Sequence, residues 1–193
     1  KGSVRELDCD LLSFSSHKLY GPMGLGVLYG KKRVLESFPP FLFGGDMVMR
    51  GDGDQLVYRR DSQKFEAGTQ NLAAALGLKA AMDFLNENQF GELIEKERSL
   101  TASLREKLAA LNGIQILNKG RDSPITLFRS ERFGAYDMGV FLGLKNIAVR
   151  CGSHCAYPLM KRMELQSACR ISMGIYNTEE DVERLITALK GMG

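Results

Sequence analysis

The chain is sparing with cysteine, with net charge and with long apolar runs. Its four cysteines, Cys9, Cys151, Cys155 and Cys169, form no dense framework, so free thiols and a reducing, cytoplasmic compartment are expected. Lysine plus arginine (26) exceed aspartate plus glutamate (23) by three, and no basic stripe is interleaved with aromatics. Nucleic-acid binding therefore has no support. No apolar run is long enough to cross a bilayer, and the N-terminus has no signal-peptide stretch, so no membrane association is expected. Internal repeats and low-complexity segments are lacking too. What remains is a globular composition, 44% apolar and 25% charged, with glycine somewhat frequent at 21 residues. The 193 residues suffice for one sizeable core or two smaller ones.

The chain opens on Lys1-Gly2-Ser3-Val4, without an initiator Met, and moves into the apolar residues 7–14. That run reads as a strand buried on both faces. A fold that opens on a core strand carries the expectation that something upstream has been removed. Ser15-Ser16-His17-Lys18 ends this strand, and Gly21-Pro22-Met23-Gly24-Leu25-Gly26 is a breaker-rich turn before a strand at 27–29. Residues 39–64 read as a long loop. Within it Gly51-Asp52-Gly53-Asp54 suggests calcium, but no ligand-bearing Glu follows at the right offset, which leaves a solvated loop.

Helical spacing follows at Leu72, Leu76, Ala80 and Phe84, with Thr69 or Asn71 as N-cap. A second helix is expected over 92–111, with Leu93, Leu100, Leu104, Leu108 and Leu111 on one face and Asn112-Gly113 as its stop. Strands are expected at 114–117, 125–128, 147–150 and 168–173, and a helix at 136–144. In the last helix Val182, Leu185, Ile186 and Leu189 recur at i, i+3, i+4 and i+7, and Gly191 ends it. Asn177 with Glu180, and Thr178 with Asp181, both resemble capping boxes. The chain thus divides into an α/β segment, 1–85, and an α+β unit, 86–193.

Three constellations carry chemistry. Lys18, after a strand and beside Ser15 and His17, suits an amine that must be partly desolvated to attack an aldehyde, with hydroxyl, imidazole and turn amides to hold a phosphate. Spacing alone favours the alternative, an ordinary surface lysine on a loop. Arg150-Cys151-Gly152-Ser153-His154-Cys155 puts a cysteine in a glycine loop flanked by His and Arg, as in a nucleophile of lowered pKa. Zinc fits poorly, since Cys-x3-Cys beside one His has no second ligand pair. Cys9 and Cys169 sit in apolar strand contexts and read as buried, inert thiols. Arg170, inside an apolar strand, needs an anion, either a structural carboxylate or a substrate carboxylate held by its fork.

In this order, several segments resemble the cysteine desulfurases of the class V aminotransferase group, particularly the group II type that includes selenocysteine lyases. They are Asp8-Cys9-Asp10, Phe14-Ser15-Ser16-His17-Lys18-Leu19-Tyr20-Gly21-Pro22, Gly24-Leu25-Gly26-Val27-Leu28-Tyr29 and Phe65-Glu66-Ala67-Gly68-Thr69-Gln70-Asn71. Further on come Ala148-Val149-Arg150-Cys151-Gly152-Ser153-His154-Cys155-Ala156-Tyr157-Pro158-Leu159-Met160, Cys169-Arg170-Ile171-Ser172 and Tyr176-Asn177-Thr178-Glu179-Glu180.

The resemblance implies an α/β fold, that of PLP-dependent transferases of fold type I. Residues 1–85 would be the C-terminal part of the PLP-binding large domain, and 86–193 a small α+β C-terminal domain. It implies pyridoxal 5'-phosphate as cofactor, with Lys18 as the Schiff-base lysine and Ser15 and His17 as phosphate ligands. Thr69 is implied as the phosphate ligand supplied to the partner subunit of a homodimer. Arg170, with Arg150 close by, would clamp the substrate carboxylate, and Cys155 would carry the persulfide. L-cysteine or L-selenocysteine is the implied substrate, and a sulfur acceptor protein, serving iron–sulfur cluster assembly or related pathways, the implied partner. A lyase, epimerase or aminotransferase of the same group that needs no thiol, and a non-catalytic piece, remain as alternatives. The family usually has Gly where Ser16 stands and often His where Ser153 stands. Its aspartate for the pyridine nitrogen, its ring-stacking histidine and its glycine-rich phosphate loop lie upstream of Lys1. The chain alone is therefore expected not to sustain turnover.

Overall fold

The structure, a computed structural model, describes residues 3–53, 55–118 and 123–192. Lys1, Gly2 and Asp54, which enter the reading of the opening segment and of the Asp-rich loop, lie outside the described residues. The chain divides into two units, Lys1–Gln89 and Phe90–Gly193.

In the first unit, Ser3 and Glu6 form a reciprocal capping box that starts a short helix, α1 (Val4–Leu7). The described chain thus opens on a helical turn, not on a core strand, and Cys9 sits in the connection that follows. Strand β1 (Leu11–Ser15) pairs antiparallel with β2 (Gly26–Gly30), Leu11 opposite Gly30 and Ser15 opposite Gly26. Burial on both faces, expected for residues 7–14, is not found: Leu7 is 60% and Leu11 41% exposed. A two-stranded sheet gives each strand one lateral neighbour, and apolar composition alone does not reveal that. Salt bridges from Lys31 to Asp8 (2.6 Å) and from Arg33 to Asp10 (2.6 Å) tie the start of β1 to the helix after β2, α2 (Lys32–Ser37).

Part of the expected loop over 39–64 is an antiparallel hairpin, β3 (Val48–Asp52) and β4 (Gln55–Tyr58). Its residues are almost all exposed, so no alternation of apolar and polar residues marked it. Helix α3 (Leu72–Glu87) is capped by Asn71, whose side-chain oxygen accepts from the Ala74 amide at 3.1 Å. Its buried residues are Ala74, Leu78 and Leu85, while Leu72, Leu76 and Phe84 are exposed. A strict four-residue step drifts by about 40° each time on a helix of 3.6 residues per turn. Spread by that drift over about 120°, the expected stripe is centred nearly opposite Ala74, Leu78 and Leu85, so it is the other face of the helix that packs.

The second unit runs α4 (Phe90–Ala109), β5 (Ile114–Ile116), β6 (Ile125–Ser130), α5 (Ala135–Leu144), β7 (Arg150–Gly152), α6 (Tyr157–Arg162), β8 (Ala168–Ser172) and α7 (Glu179–Lys190). The strands form one antiparallel sheet in the order β5-β6-β8-β7, which puts β7 at an edge. The strand expected at 147–150 begins only at Arg150. Of the two possible caps for α7, Thr178 is the one used: its hydroxyl accepts from the Asp181 amide and Asp181 accepts from the Thr178 amide. Asn177 instead braces the approach, accepting from Gly174 and donating to Asp181.

Ile116, Phe128, Cys169 and Ile171 come from one face of this sheet and pack with Leu100, Leu104 and Leu108 of α4, Met138 and Leu142 of α5 and Val182, Leu185, Ile186 and Leu189 of α7. Leu104 and Leu108 are wholly buried, and truncating either to Ala should cost about 2–5 kcal/mol. Side chains alternate along a strand. The register therefore leaves Leu127, Arg170 and Arg150, mutual partners across β6, β8 and β7, together on the other face.

Candidate active site

Lys18 is positioned by a chain reversal at the end of β1. Ser16-His17-Lys18 make one 3-10 turn, and the Ser16 carbonyl accepts from both the Leu19 (2.9 Å) and Gly21 (3.0 Å) amides. Ser16 itself donates its amide to Leu25 at 3.0 Å, which ties the turn to the approach of β2. Tyr20 adopts a left-handed conformation to close the reversal. Ser16 is fully buried and its hydroxyl has no partner among the described residues. Gly21 makes room for it, since a Cβ there would stand 2.2 Å from that hydroxyl oxygen. His17 and Lys18 are exposed and Ser15 is half-buried. Ser15 and Lys18 line one concavity of about 630 Å³ with Phe14, Leu19, Val27 and Leu28.

Thr69 lies exposed on the bend before α3 and is not among the residues of that concavity. The bend is held by Gly68, which has φ +79° and donates its amide to the Gly45 carbonyl at 3.1 Å. Only a residue tolerant of positive φ serves there. Ser15, His17 and Lys18 are thus gathered on one turn, while Thr69 presents itself separately.

In the second unit the turn after β7 carries the reactive side chains. His154 and Cys155 both have left-handed φ, 57° and 56°, a conformation that costs non-glycine residues roughly 1–3 kcal/mol each. Cys155 is exposed, and Arg150 Nη2 donates to its Sγ at 3.2 Å. His154 Nε2 stands 3.0 Å from the Ala168 carbonyl. A carbonyl can only accept, so Nε2 bears the hydrogen, and the buried Nδ1 is left without a partner among the described residues. Burial pushes the His154 pKa down, and the charges of Arg170 and Arg150 push the same way against the Ala168 bond.

Arg150 and Arg170 stand directly opposite each other on β7 and β8, and Arg170 Nε is buried without a partner among the described residues. Two like charges in register call for an anion between them. On the opposite face of the same strands, Cys151 and Cys169 are also paired, with Sγ atoms 3.1 Å apart. Among the described residues no group of three His, Cys, Asp or Glu stands together as a metal site would need. The expected burial holds for Cys169, which is fully buried, whereas Cys9 is only half-buried. Sequence reasoning gave no sign of the Cys151–Cys169 pair or of the buried Ser16 hydroxyl. The first needs the β7–β8 register, and the second needs the fold of the turn.

These mixed α/β units, one with a lysine on a turn after a strand and the other with an arginine pair beside a cysteine loop, have the fold of the PLP-dependent transferases of fold type I. The family model for aminotransferase class V matches residues 1–185, and the chain belongs to that family. It is 39% identical over 188 residues to a cysteine desulfurase of Enterobacter sp. (strain 638), covering 97% of this chain and 46% of that protein. The crystal structure of the cysteine desulfurase CsdA of Escherichia coli superposes with a TM-score of 0.93 at 37% identity, over 97% of this chain and 47% of that one. At the level of fold alone, the C-DES structure with glycine covalently linked to the PLP cofactor matches with a TM-score of 0.80 at 21% identity, over 96% of this chain and 47% of that one. The chain spans about half the length of the curated relatives it matches.

Proposed function

We propose that this chain contributes the cofactor lysine, the carboxylate clamp and the reactive thiol of a PLP-dependent cysteine desulfurase. In this reading residues 1–85 belong to the large, cofactor-binding domain and 86–193 form the small domain. The single observation that carries it is the Arg150–Arg170 pair, one guanidinium with an unpartnered Nε and the other bonded to an exposed Cys155.

The residues of the first unit suit PLP. Ser15 and Lys18 share one concavity, His17 lies between them in the chain, and the turn adds backbone amides, a donor set fitted to a dianionic phosphate. When bound, the cofactor supplies an electron sink for bond breaking at the substrate Cα. Lys18 would hold the cofactor through its ε-amine, and the same amine would carry a proton at the substrate. Ser15 and His17 hold the phosphate. Thr69, exposed and outside this concavity, suits a phosphate ligand given to the partner subunit of a homodimer.

In the second unit Arg170, joined by Arg150, binds the α-carboxylate of L-cysteine. The Cys155 sulfur, held by Arg150, attacks the substrate Sγ. An S–S bond forms, the substrate C–S bond breaks with its electron pair and a proton ending on Cβ, and L-alanine and a persulfide on Cys155 result. A sulfur acceptor protein then takes the outer sulfur toward iron–sulfur cluster assembly, in the cytoplasm. L-selenocysteine fits the same clamp. A class V lyase or epimerase would have no use for the exposed thiol beside Arg150, which favours the desulfurase.

The test is to supply the full-length protein with PLP and L-cysteine and measure alanine and sulfane sulfur together. Equimolar formation, lost in Cys155→Ser, is the expected result. Alanine formation or racemisation that is indifferent to Cys155 would move the assignment to the thiol-free chemistries.

A further inference from the structure

We propose that Cys151 and Cys169 form a second thiol site, a reversible oxidation site at which a peroxide closes a cross-strand disulfide between β7 and β8. The two residues are directly opposed in the antiparallel register, and their sulfurs stand 3.1 Å apart, inside van der Waals contact. Directly opposed residues of antiparallel strands have Cα atoms about 4.5–5.5 Å apart. Disulfides span about 4.4–6.8 Å between Cα atoms, so the bond closes without moving a strand.

The surroundings give the two sulfurs different roles. Cys169 is fully buried, and its thiol donates to the Ala135 carbonyl at 3.3 Å. Burial pushes its pKa far up, and the neighbouring Cys151 sulfur adds to the shift, so it stays protonated. Cys151 is half-buried, and its Sγ fills a space over α5 that Gly139 keeps open, since a Cβ there would stand 2.8 Å from that sulfur. The more accessible Cys151 therefore meets the oxidant, and Cys169 resolves it.

The Cys151 thiolate attacks a peroxide oxygen. An S–O bond forms, the O–O bond breaks, and water or an alcohol leaves with the accompanying proton. The Cys169 sulfur then attacks Cys151. The S–S bond forms, the S–O bond breaks, and hydroxide departs as water with the Cys169 proton. The two thiols lose two electrons and the peroxide gains them; a thiol reductant reverses the result. The bond would pin edge strand β7 to β8 one residue from both Arg150 and Arg170, and just before the Cys155 turn. The pair does not depend on the proposed activity, because its test reads a covalent bond.

The full-length protein is treated with hydrogen peroxide, its remaining thiols are alkylated, and digests made with and without reductant are compared by mass spectrometry. A peptide pair joined through Cys151 and Cys169, two hydrogens lighter than the sum of its parts and released by reductant, is expected. It should persist in Cys155→Ser and vanish in Cys151→Ala. In Cys169→Ala, oxidation of Cys151 should run on to sulfinic acid at the same peroxide dose. Should Cys169→Ala fail to give a native circular dichroism spectrum, Cys151→Ala, altering only a half-buried position, carries the comparison. Oxidation confined to Cys155, a Cys151–Cys155 link, or no link at all would overturn the proposal.

Discussion

Arg150 and Arg170 face each other across β7 and β8, and their guanidinium groups share one face of the sheet with no acid interposed among the described residues. An anion bound there relieves two charges at once, and a planar carboxylate matches the fork of Arg170. Arg170→Lys keeps the charge and loses the fork, so kcat/KM for L-cysteine should fall about tenfold to a hundredfold, mostly through KM, and Arg170→Ala should lose about a hundredfold to a thousandfold. Steady-state kinetics decide it. If Arg170→Lys stays within a factor of two of the parent, the fork is not the recognition element.

Lys18 should be the residue that borohydride locks to PLP in the full-length protein. Peptide mapping after reduction is expected to find the adduct on Lys18 and to find none in Lys18→Ala. An adduct on Lys31 or Lys64 would contradict the assignment. Lys31 is engaged with Asp8 and Asp10, and Lys64 is buried with its ammonium on the Glu36 carbonyl.

Cys155→Ser should abolish sulfur release from L-cysteine, while Cys151→Ser retains most of it. Cys155 is exposed and bonded to Arg150, whereas Cys151 points to the side of α5. Persulfide labelling of each variant separates the two. The assignment fails if Cys151→Ser is the inactive one. Activity toward selenocysteine can survive Cys155→Ser, because selenium leaves without thiol attack.

His154 gives a pH signature. Its folded pKa lies below the usual 6.5, chiefly through burial, so the unfolded chain binds a proton that the folded chain resists. Stability from this residue is full above about pH 6.5 and is lost as pH falls toward the lower, folded value. Urea unfolding between pH 7.5 and 5.5 should show the midpoint falling with pH, and His154→Asn should flatten that slope whatever it does to absolute stability. An unchanged slope in the variant would assign the dependence elsewhere.

Gly21 and Ser16 should be coupled. Gly21→Ala places a Cβ 2.2 Å from the Ser16 hydroxyl and 3.2 Å from its carbonyl oxygen, so it should destabilise by about 1–3 kcal/mol. Ser16→Ala removes a buried hydroxyl without a partner among the described residues and should be near neutral. In a double-mutant cycle, Ser16→Ala should recover part of the Gly21→Ala loss. Strict additivity would mean that the turn yields elsewhere.

What could be read from the sequence was what lies close together along it. The Lys18 turn and the Arg150–Cys155 segment are contiguous, so each could be picked out as a candidate from the text alone. Helix α7 was legible because Thr178, Asp181 and the apolar set from Val182 to Leu189 all agree with one period. The face of α3 was not, because exposed Leu72, Leu76 and Phe84 are as apolar as buried Leu78 and Leu85. Strand β1 failed for the same reason: an apolar run does not say how many neighbours will cover it. Cross-strand partners such as Cys151 and Cys169, 18 residues apart, become neighbours only once the register is set.

The sheet of the second unit, packed against helices on one side, sorts its residues by parity. On β8, Cys169 and Ile171 are locked into the core, while Arg170 and Ser172 point the other way. On the proposed function, a directed-evolution library aimed at a different amino-acid substrate would be confined to Leu127, Arg150, Arg170 and Ser172. Such variants would leave the packed side untouched, so losses of activity could be read as changes at the site and not as misfolding.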